Sequence, residues 1–166
     1  MIIEELSKEY NVRRLTEAQV DEVFELCAGN PLYYEYHPPF ITREAVIEDM
    51  KNLPPGKQLS DKYYLGFYQN NILIAVLDLI DGYPEAPVAF IGFFMTHESI
   101  QGRGFGTKMI ASVCSQLKKE GFRSVRLAWI KGNPQSEHFW LKNQFEILKE
   151  TTSMDGYTVI LAERKL

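Results

Sequence analysis

The segment Gln101-Gly102-Arg103-Gly104-Phe105-Gly106 stands between an apolar run, Val88 to Met95, and a long amphipathic stretch that reaches Lys119. Three glycines at alternate positions let a backbone turn sharply and let a ligand approach it closely, because no Cβ atom intervenes. Beyond them Phe105, Met109, Ile110, Val113, Cys114 and Leu117 fall on one helical face, and Gly121 sits where a helix C-terminal cap belongs. The first N–H groups of such a helix have no partner within it. They form a cradle for anionic oxygens, aided by the helix dipole. Arg103 and Lys108 add positive charge beside it. The pattern points to a phosphate or pyrophosphate ligand, against the plainer reading of a flexible glycine turn.

Working outward, Arg123 to Ile130 alternates Val125, Leu127 and Trp129 with Ser124, Arg126 and Ala128, the period of a strand. Val88 to Thr96 is a second strand, apolar enough to be buried on both faces. Strand, glycine turn, helix, strand is a βαβ unit, so these two strands should be parallel. Upstream lie strands at Tyr10 to Leu15, Tyr63 to Gln69 and Ile72 to Ile80, with Asn70-Asn71 as a tight hairpin turn. Thr16 and Gln19 make a capping box before a helix carrying Val20, Val23, Phe24 and Cys27, which Gly29 stops. Thr42 caps another helix with Val46, Met50 and Leu53, and Pro54-Pro55-Gly56 ends it. Asn30 to Phe40 reads as a loop rich in Tyr and Pro. Asn133-Pro134 starts a last helix, to about Asn143, and Phe145 to Thr151 pairs with Tyr157 to Glu163 around Asp155-Gly156. The expected architecture is α/β (α+β): one domain over residues 1–166, a mixed, mostly antiparallel sheet of six to seven strands, a central parallel crossover and about four helices.

Composition narrows the function. Hydrophobic residues make up 45% and charged residues 24%, ordinary for a globular protein. A net charge of −4 argues against a general nucleic-acid binder. No apolar run approaches the ~20 residues that span a bilayer, and the N-terminus, Met1 to Tyr10, is mixed and acidic rather than a signal peptide. Cys27 and Cys114 are far apart with no CxxC pair, as expected of reduced thiols in a cytoplasmic protein. His37, His97 and His138 lack metal-ligand spacing, so no metal is expected.

Two phosphate motifs fail on inspection. Walker A needs GxxxxGK[ST], and Gly106 is followed by Thr107-Lys108 in the wrong order. The dinucleotide fingerprint GxGxxG, started at Gly102, ends on Thr107, and no acidic residue closes the next strand to hold a ribose. What does match is Q/R-x-x-G-x-G, as Gln101, Gly104 and Gly106. With the strand end Phe94-Met95-Thr96 before it, and Asn133, Ser136, Phe139, Trp140, Gln144 and Phe145 standing for N-x-x-A-x-x-F-Y-x-x-x-G-F after it, the chain resembles the GCN5-related N-acetyltransferase family over nearly its whole length. Val12 to Glu17 also looks like the family's opening strand and helix start.

That resemblance implies an acetyl-CoA-dependent N-acetyltransferase acting on a primary amine by direct attack on the thioester. It assigns the cofactor pyrophosphate to Gln101, Gly102, Arg103, Gly104, Phe105, Gly106 and Thr107. It assigns the pantetheine arm to Met95 and Thr96, where a backbone N–H could also hold the developing oxyanion, and to Asn133. Asn133 is equally a helix N-cap and can serve as both. Family members often carry a Tyr as general acid where this chain has Trp140, whose indole is no useful acid. That leaves the catalytic residues unassigned, with Ser136 and His138 as nearby substitutes, and keeps open a second class, a non-catalytic acyl-CoA-binding module. A thiol of pKa ~8.5 is a tolerable leaving group without an acid. The acceptor side of the fold draws attention to Tyr33, Tyr34, Glu35 and His37 with Tyr36, aromatic faces and a carboxylate that suit a cation or simply pack the loop. Asp78 and Glu98 are further candidate carboxylates, with surface charge as the default for both. Exposed strand edges allow a homodimer.

Overall fold

The computed structural model describes residues 1–166. Its strands are β1 (Asn11–Arg14), β2 (Lys62–Gln69), β3 (Ile72–Asp81), β4 (Val88–Thr96), β5 (Ser124–Ile130), β6 (Glu146–Thr152) and β7 (Thr158–Lys165). They form one seven-stranded sheet in the order β1-β2-β3-β4-β5-β7-β6. Every neighbouring pair is antiparallel except β4 and β5, the parallel pair the glycine segment implied.

The helices are α1 (Val20–Ala28), α2 (Pro31–Tyr36), α3 (Arg43–Lys51), α4 (Phe105–Lys119) and α5 (Pro134–Lys142). There are five rather than about four, because α2 lies within what the sequence reads as the loop Asn30 to Phe40. Six residues are too few for a helical period to show, and Tyr-rich helices depend on packing rather than propensity. The Thr16–Gln19 capping box forms, with Gln19 Oε1 accepting from Thr16 N at 3.0 Å, but it opens a 3-10 turn at Glu17–Gln19 before α1 begins. Thr42 Oγ1 accepts from Ala45 N at 3.1 Å to cap α3. That helix ends at Lys51, so Leu53 falls outside it. Residues preceding a proline are pushed out of the helical region.

Side chains alternate across the sheet, so each face has its own core. α4 buries Met109, Ile110, Val113, Cys114 and Leu117 against Leu65, Phe67, Leu77, Leu79, Val125 and Leu127 on one face. The other face packs Val23, Leu26, Cys27, Tyr34, Val46 and Met50 against Tyr64, Tyr68, Val76 and Met95. No helix is long and apolar enough to cross a membrane.

One expectation about β4 needs correction. Val88, Ala89 and Ile91 are buried as anticipated, but Phe90, Phe93 and Phe94 are half-buried and Gly92 is exposed. The parallel register with β5 runs only from Val88↔Ser124 to Ile91↔Leu127. Past Ile91 the strand continues alongside β3 alone, to Ala75↔Thr96. The register with β3 also slips here, pairing Asp78 with Phe93 and Leu79 with Ile91, so Gly92 is a bulge. Bulges bend the strand that carries them, and this one sits where β4 leaves β5.

Candidate active site

The glycine segment closes one end of the gap between β4 and β5. Gly102 and Gly104 have φ of 71° and 81°, in the left-handed region that side chains disfavour. Gly104 is the N-cap of α4 and offers no capping side chain. No backbone N–H from Gly102 to Thr107 makes a well-formed hydrogen bond inside the chain. The first turn of α4 has no acidic residue. The Arg103 guanidinium and Lys108 ammonium lie 5.1 and 5.9 Å from the centre of the Phe105 ring. Gly106 serves packing instead: a Cβ there would come 3.2 Å from the Phe139 ring of α5.

Gln101 faces away from this cradle. Its Nε2 donates to the Thr96 carbonyl at 2.9 Å and to Asn30 Oδ1. Asn30 Nδ2 in turn donates to the carbonyls of Leu26 (2.9 Å) and Thr96 (3.2 Å). The start of the loop is thereby tied to the end of β4 and the end of α1. Nothing in the sequence marks Asn30 for this.

The hydrogen-bond ladder shows which main-chain groups face the gap. His97 N donates to Ile74 O at 2.8 Å, and in an antiparallel pair such bonded positions alternate with outward-facing ones. Met95 and Phe93 therefore turn their main chain to β3, while Phe94 and Thr96 turn theirs toward the space β5 has left. Of the two pantetheine positions taken from the resemblance, Thr96 faces the gap with its main chain and Met95 does not; Phe94 joins it. Asn133, almost wholly buried, accepts from the N–H groups of Gln135 (3.1 Å) and Ser136 (3.2 Å) through Oδ1. The N-cap role is real, and Nδ2 donates to nothing in the chain.

Trp140 is buried among Phe94, Phe139 and Phe145, with ring centroids 6.1, 4.9 and 5.2 Å away. It fills core. His138 is exposed on α5, at a surface hollow of about 310 Å³ with Gly132, Pro134 and Leu141. A second hollow, about 390 Å³, lies between Glu5–Tyr10 and the outer side of α4. Neither coincides with the gap.

On the far side of β4 the aromatic segment divides. Tyr33 meets Phe93 of β4 edge-on at 5.8 Å and His37 at 5.8 Å, and His37 meets Tyr157 at 5.1 Å. Tyr157 Oη donates to the Pro38 carbonyl at 3.0 Å, so the β6–β7 turn closes onto this segment. Tyr34 is core, packed in the cluster beneath α1 and α3, and Glu35 is exposed. Glu98 is exposed too, in a 3-10 turn before the glycine loop.

Asp78 is not a surface charge. It is 9% exposed, and its Oδ2 accepts from Lys62 Nζ at 2.7 Å, with Lys62 itself buried. Lys62 Nζ also donates to the Asn52 carbonyl at 2.9 Å. Asp78 Oδ1 has no partner. A Cβ on Gly92 would fall 2.6 Å from Asp78 Oδ2, so the bulge must be glycine. Burial pushes the Asp78 carboxyl up while the Lys62 ammonium pulls it back. Asp49 of α3 is exposed and lies within electrostatic reach of the pair; loss of water around its carboxyl, then the charge of Asp78, push its pKa to about 6. Lys62, Asp49 and Gly92 carry no motif and sequence reasoning passed over them.

The sequence model of the Acetyltransferase (GNAT) family matches residues 28–145. The chain belongs to that family, and it is an acetyltransferase. Solved structures agree on the fold of this GNAT chain. An acetyltransferase from Thermus thermophilus is 20% identical, covers 95% of this chain and 97% of its own, and superposes with a TM-score of 0.74. The PaiA N-acetyltransferase from Thermoplasma acidophilum, in complex with coenzyme A, is 18% identical over 95% and 99% of the two chains, with a TM-score of 0.70. The aminoglycoside acetyltransferase AAC(6')-Ib, in complex with coenzyme A and kanamycin, is 17% identical over 94% of each, with a TM-score of 0.71. No curated protein sequence matches significantly.

Proposed function

We propose that this GNAT chain transfers the acetyl group of acetyl-CoA to a primary amine by direct attack. The observation that carries the reading is the run of unengaged N–H groups, Gly102 to Thr107, set beside a strand that has parted from β5 and turns the main chain of Phe94 and the N–H of Thr96 to the gap. The amides, with Arg103 and Lys108, suit a pyrophosphate. The main-chain groups of Phe94 and the N–H of Thr96 suit an extended amide-bearing arm laid down like an added strand, while the Thr96 carbonyl is held by Gln101 and Asn30. Asn133 Nδ2 offers a further donor, and an N–H on the β4 edge suits a developing oxyanion. Bound acetyl-CoA supplies an activated thioester. The coenzyme A complexes of PaiA and of the aminoglycoside enzyme support this ligand choice.

The second reading, a non-catalytic acyl-CoA-binding module, draws on Trp140, which gives α5 no acid. Two steps separate the readings. Thermal unfolding with acetyl-CoA at 100 times its Kd should raise Tm by roughly 5–10 °C, with no rise from ATP or NAD at equal concentration. A screen of primary amines with free-thiol detection should then show turnover. No rise with either CoA species sinks both readings, and a rise without turnover on any amine leaves the module.

A further inference from the structure

Past Ile91↔Leu127, where β4 and β5 part, α2 lies across the opening on the face that α1 and α3 cover. Phe93 stands on the β4 bank, paired with Asp78 of β3. On the other bank β5 has run out. Lys131, one residue past its end, donates its N–H to Thr158 O at 2.9 Å, so Tyr157 stands beside the free end of β5. Tyr33 within α2 and His37 at its C-cap are one helical turn apart, and His37 N donates to Tyr33 O at 3.1 Å. Rings therefore meet in series from bank to bank: Phe93 and Tyr33 at 5.8 Å, Tyr33 and His37 at 5.8 Å, His37 and Tyr157 at 5.1 Å, each pair edge-on. The span is tied at both ends. Asn30 Nδ2 donates to Thr96 O of β4 at 3.2 Å, and Tyr157 Oη donates to Pro38 O at 3.0 Å. Tyr34, buried in the core beneath α1 and α3, fixes how the helix lies.

On the N-acetyltransferase reading, a cofactor arm laid along β4 reaches the gap from the α4 face, because the glycine cradle heads α4. The acceptor then comes from the α2 face. We propose that α2 and Tyr157 form an arch over that entrance, that Tyr157 is a specificity-determining residue, and that the acceptor is a free small-molecule amine rather than a lysine or N-terminus of a polypeptide. A polypeptide laid in a groove needs an open run of main chain to pair with. Here the β4 edge serves the cofactor arm, and the arch covers the space between β4 and β7. An acceptor that passes beneath it meets the rings of Phe93, Tyr33, His37 and Tyr157, and only a slender one fits. The two footings differ in strength. On β4 the arch is held by Asn30, which Gln101 also bonds, and by Tyr34 in the core. On β7 it has one neutral hydrogen bond and one edge-on ring contact, both made by Tyr157. Removing the Tyr157 ring therefore widens the entrance and leaves α2 seated on β4.

The test has two readouts. Amide hydrogen exchange on the full chain without ligand should show residues 31–40 opening a few-fold more readily in Tyr157→Phe, which loses one neutral hydrogen bond, and at least ~10-fold more readily in Tyr157→Ala, which also loses the ring contact. Exchange in α4 should not change, which shows that both variants fold. Equal exchange of residues 31–40 in all three proteins overturns the arch with no acceptor needed. The second readout is an acceptor panel: free primary amines of graded bulk, and peptides blocked so that each offers one lysine or one free N-terminus. Wild type should favour its best free amine over every peptide by at least ~10-fold in kcat/KM, and Tyr157→Ala should raise kcat/KM for the bulkiest amines relative to the smallest by at least ~10-fold. The acetyl-CoA thermal shift should stay at wild-type size in both variants. If wild type acetylates a peptide within about threefold of its best free amine, or Tyr157→Ala leaves the ratio of bulky to small amines unchanged, the proposal fails. Absence of the acetyl-CoA shift, or of turnover on any amine or peptide, would instead sink the N-acetyltransferase reading itself, and the acceptor assignment with it.

Discussion

The two sides of β4 are built from different materials. Toward β5, the site is main chain: amides from six consecutive residues and the outer edge of one strand, with two cations nearby. Toward α3, it is side chains: a buried ion pair, two further carboxylates and three aromatic rings drawn from six elements. Main-chain dipoles are held in place by the fold and need no counter-charge to stay there. Buried charges are sustained only by one another. The first side should therefore tolerate most substitutions that keep the backbone. The second should fail when one partner is removed.

Lys62→Met breaks that comparison at its weakest point. It leaves Asp78 buried without a counter-ion, which should cost about 3–5 kcal/mol and lower Tm by ~10 °C or more. The double variant Lys62→Met/Asp78→Leu should recover most of the loss in a denaturant melt. If the single variant is as stable as wild type, the pair is not buried as described.

On the main-chain side, Gly104→Val forces a β-branched residue to a φ of 81°, costing ~1–2 kcal/mol in strain. A Cβ there meets nothing in the chain within 4 Å, so the fold should survive. The new side chain enters the amide cradle, and titration should show acetyl-CoA bound at least ~10-fold more weakly, a loss of about 1.4 kcal/mol. Arg103→Ala and Lys108→Ala should each cost only a few-fold, of the order of 0.3–1 kcal/mol, shrinking as salt is added. An effect of either that is large and independent of salt would mean side chains, not amides, carry the anion.

The same contrast explains which features are legible in the sequence. A cradle of consecutive residues leaves a local signature, and so do caps such as Thr16, Thr42 and Asn133. The ion pair does not. Lys62 and Asp78 meet because β2 and β3 pair in one register, which places them close together on one face. In sequence Asp78 is one charge in an apolar strand, where exposure is the usual outcome. Gly92 is one glycine in an apolar run, and the parting of β4 from β5 depends on the register of both. Asp49 lies on the polar side of a short helix, and only the packing of α3 over the sheet brings it within electrostatic reach of Asp78. The short helix α2 escapes the sequence reading because its six residues are held by Tyr34 in the core rather than by any periodic stripe.

Asp49 offers a smaller test that needs no acceptor. Its pKa, near 6, lies above the unfolded value of ~3.9. Between these values the folded chain binds more protons than the unfolded one, so the charge on Asp49 costs stability as pH rises toward 6 and beyond. Asp49→Asn should raise Tm at pH 7.5 and leave it nearly unchanged at pH 4. A fall at pH 7.5 would mean the carboxylate makes a stabilising contact there.

Gln144 gives a control away from both sides. It has a φ of 67° in the turn between α5 and β6, where the family pattern has Gly. A left-handed residue with a side chain costs roughly 1–2 kcal/mol, and Gly removes that strain. Glycine also makes the unfolded chain more flexible, which takes back about 0.4–1 kcal/mol. The difference favours Gln144→Gly by up to about 1 kcal/mol, or a Tm rise of a few degrees at most. The turn touches neither the cradle nor the ion pair, so acetyl-CoA affinity should not move. If it does move, the end of α5 is coupled to the cofactor side through Phe139 and Gly106, and the two sides of β4 are less separate than their construction suggests.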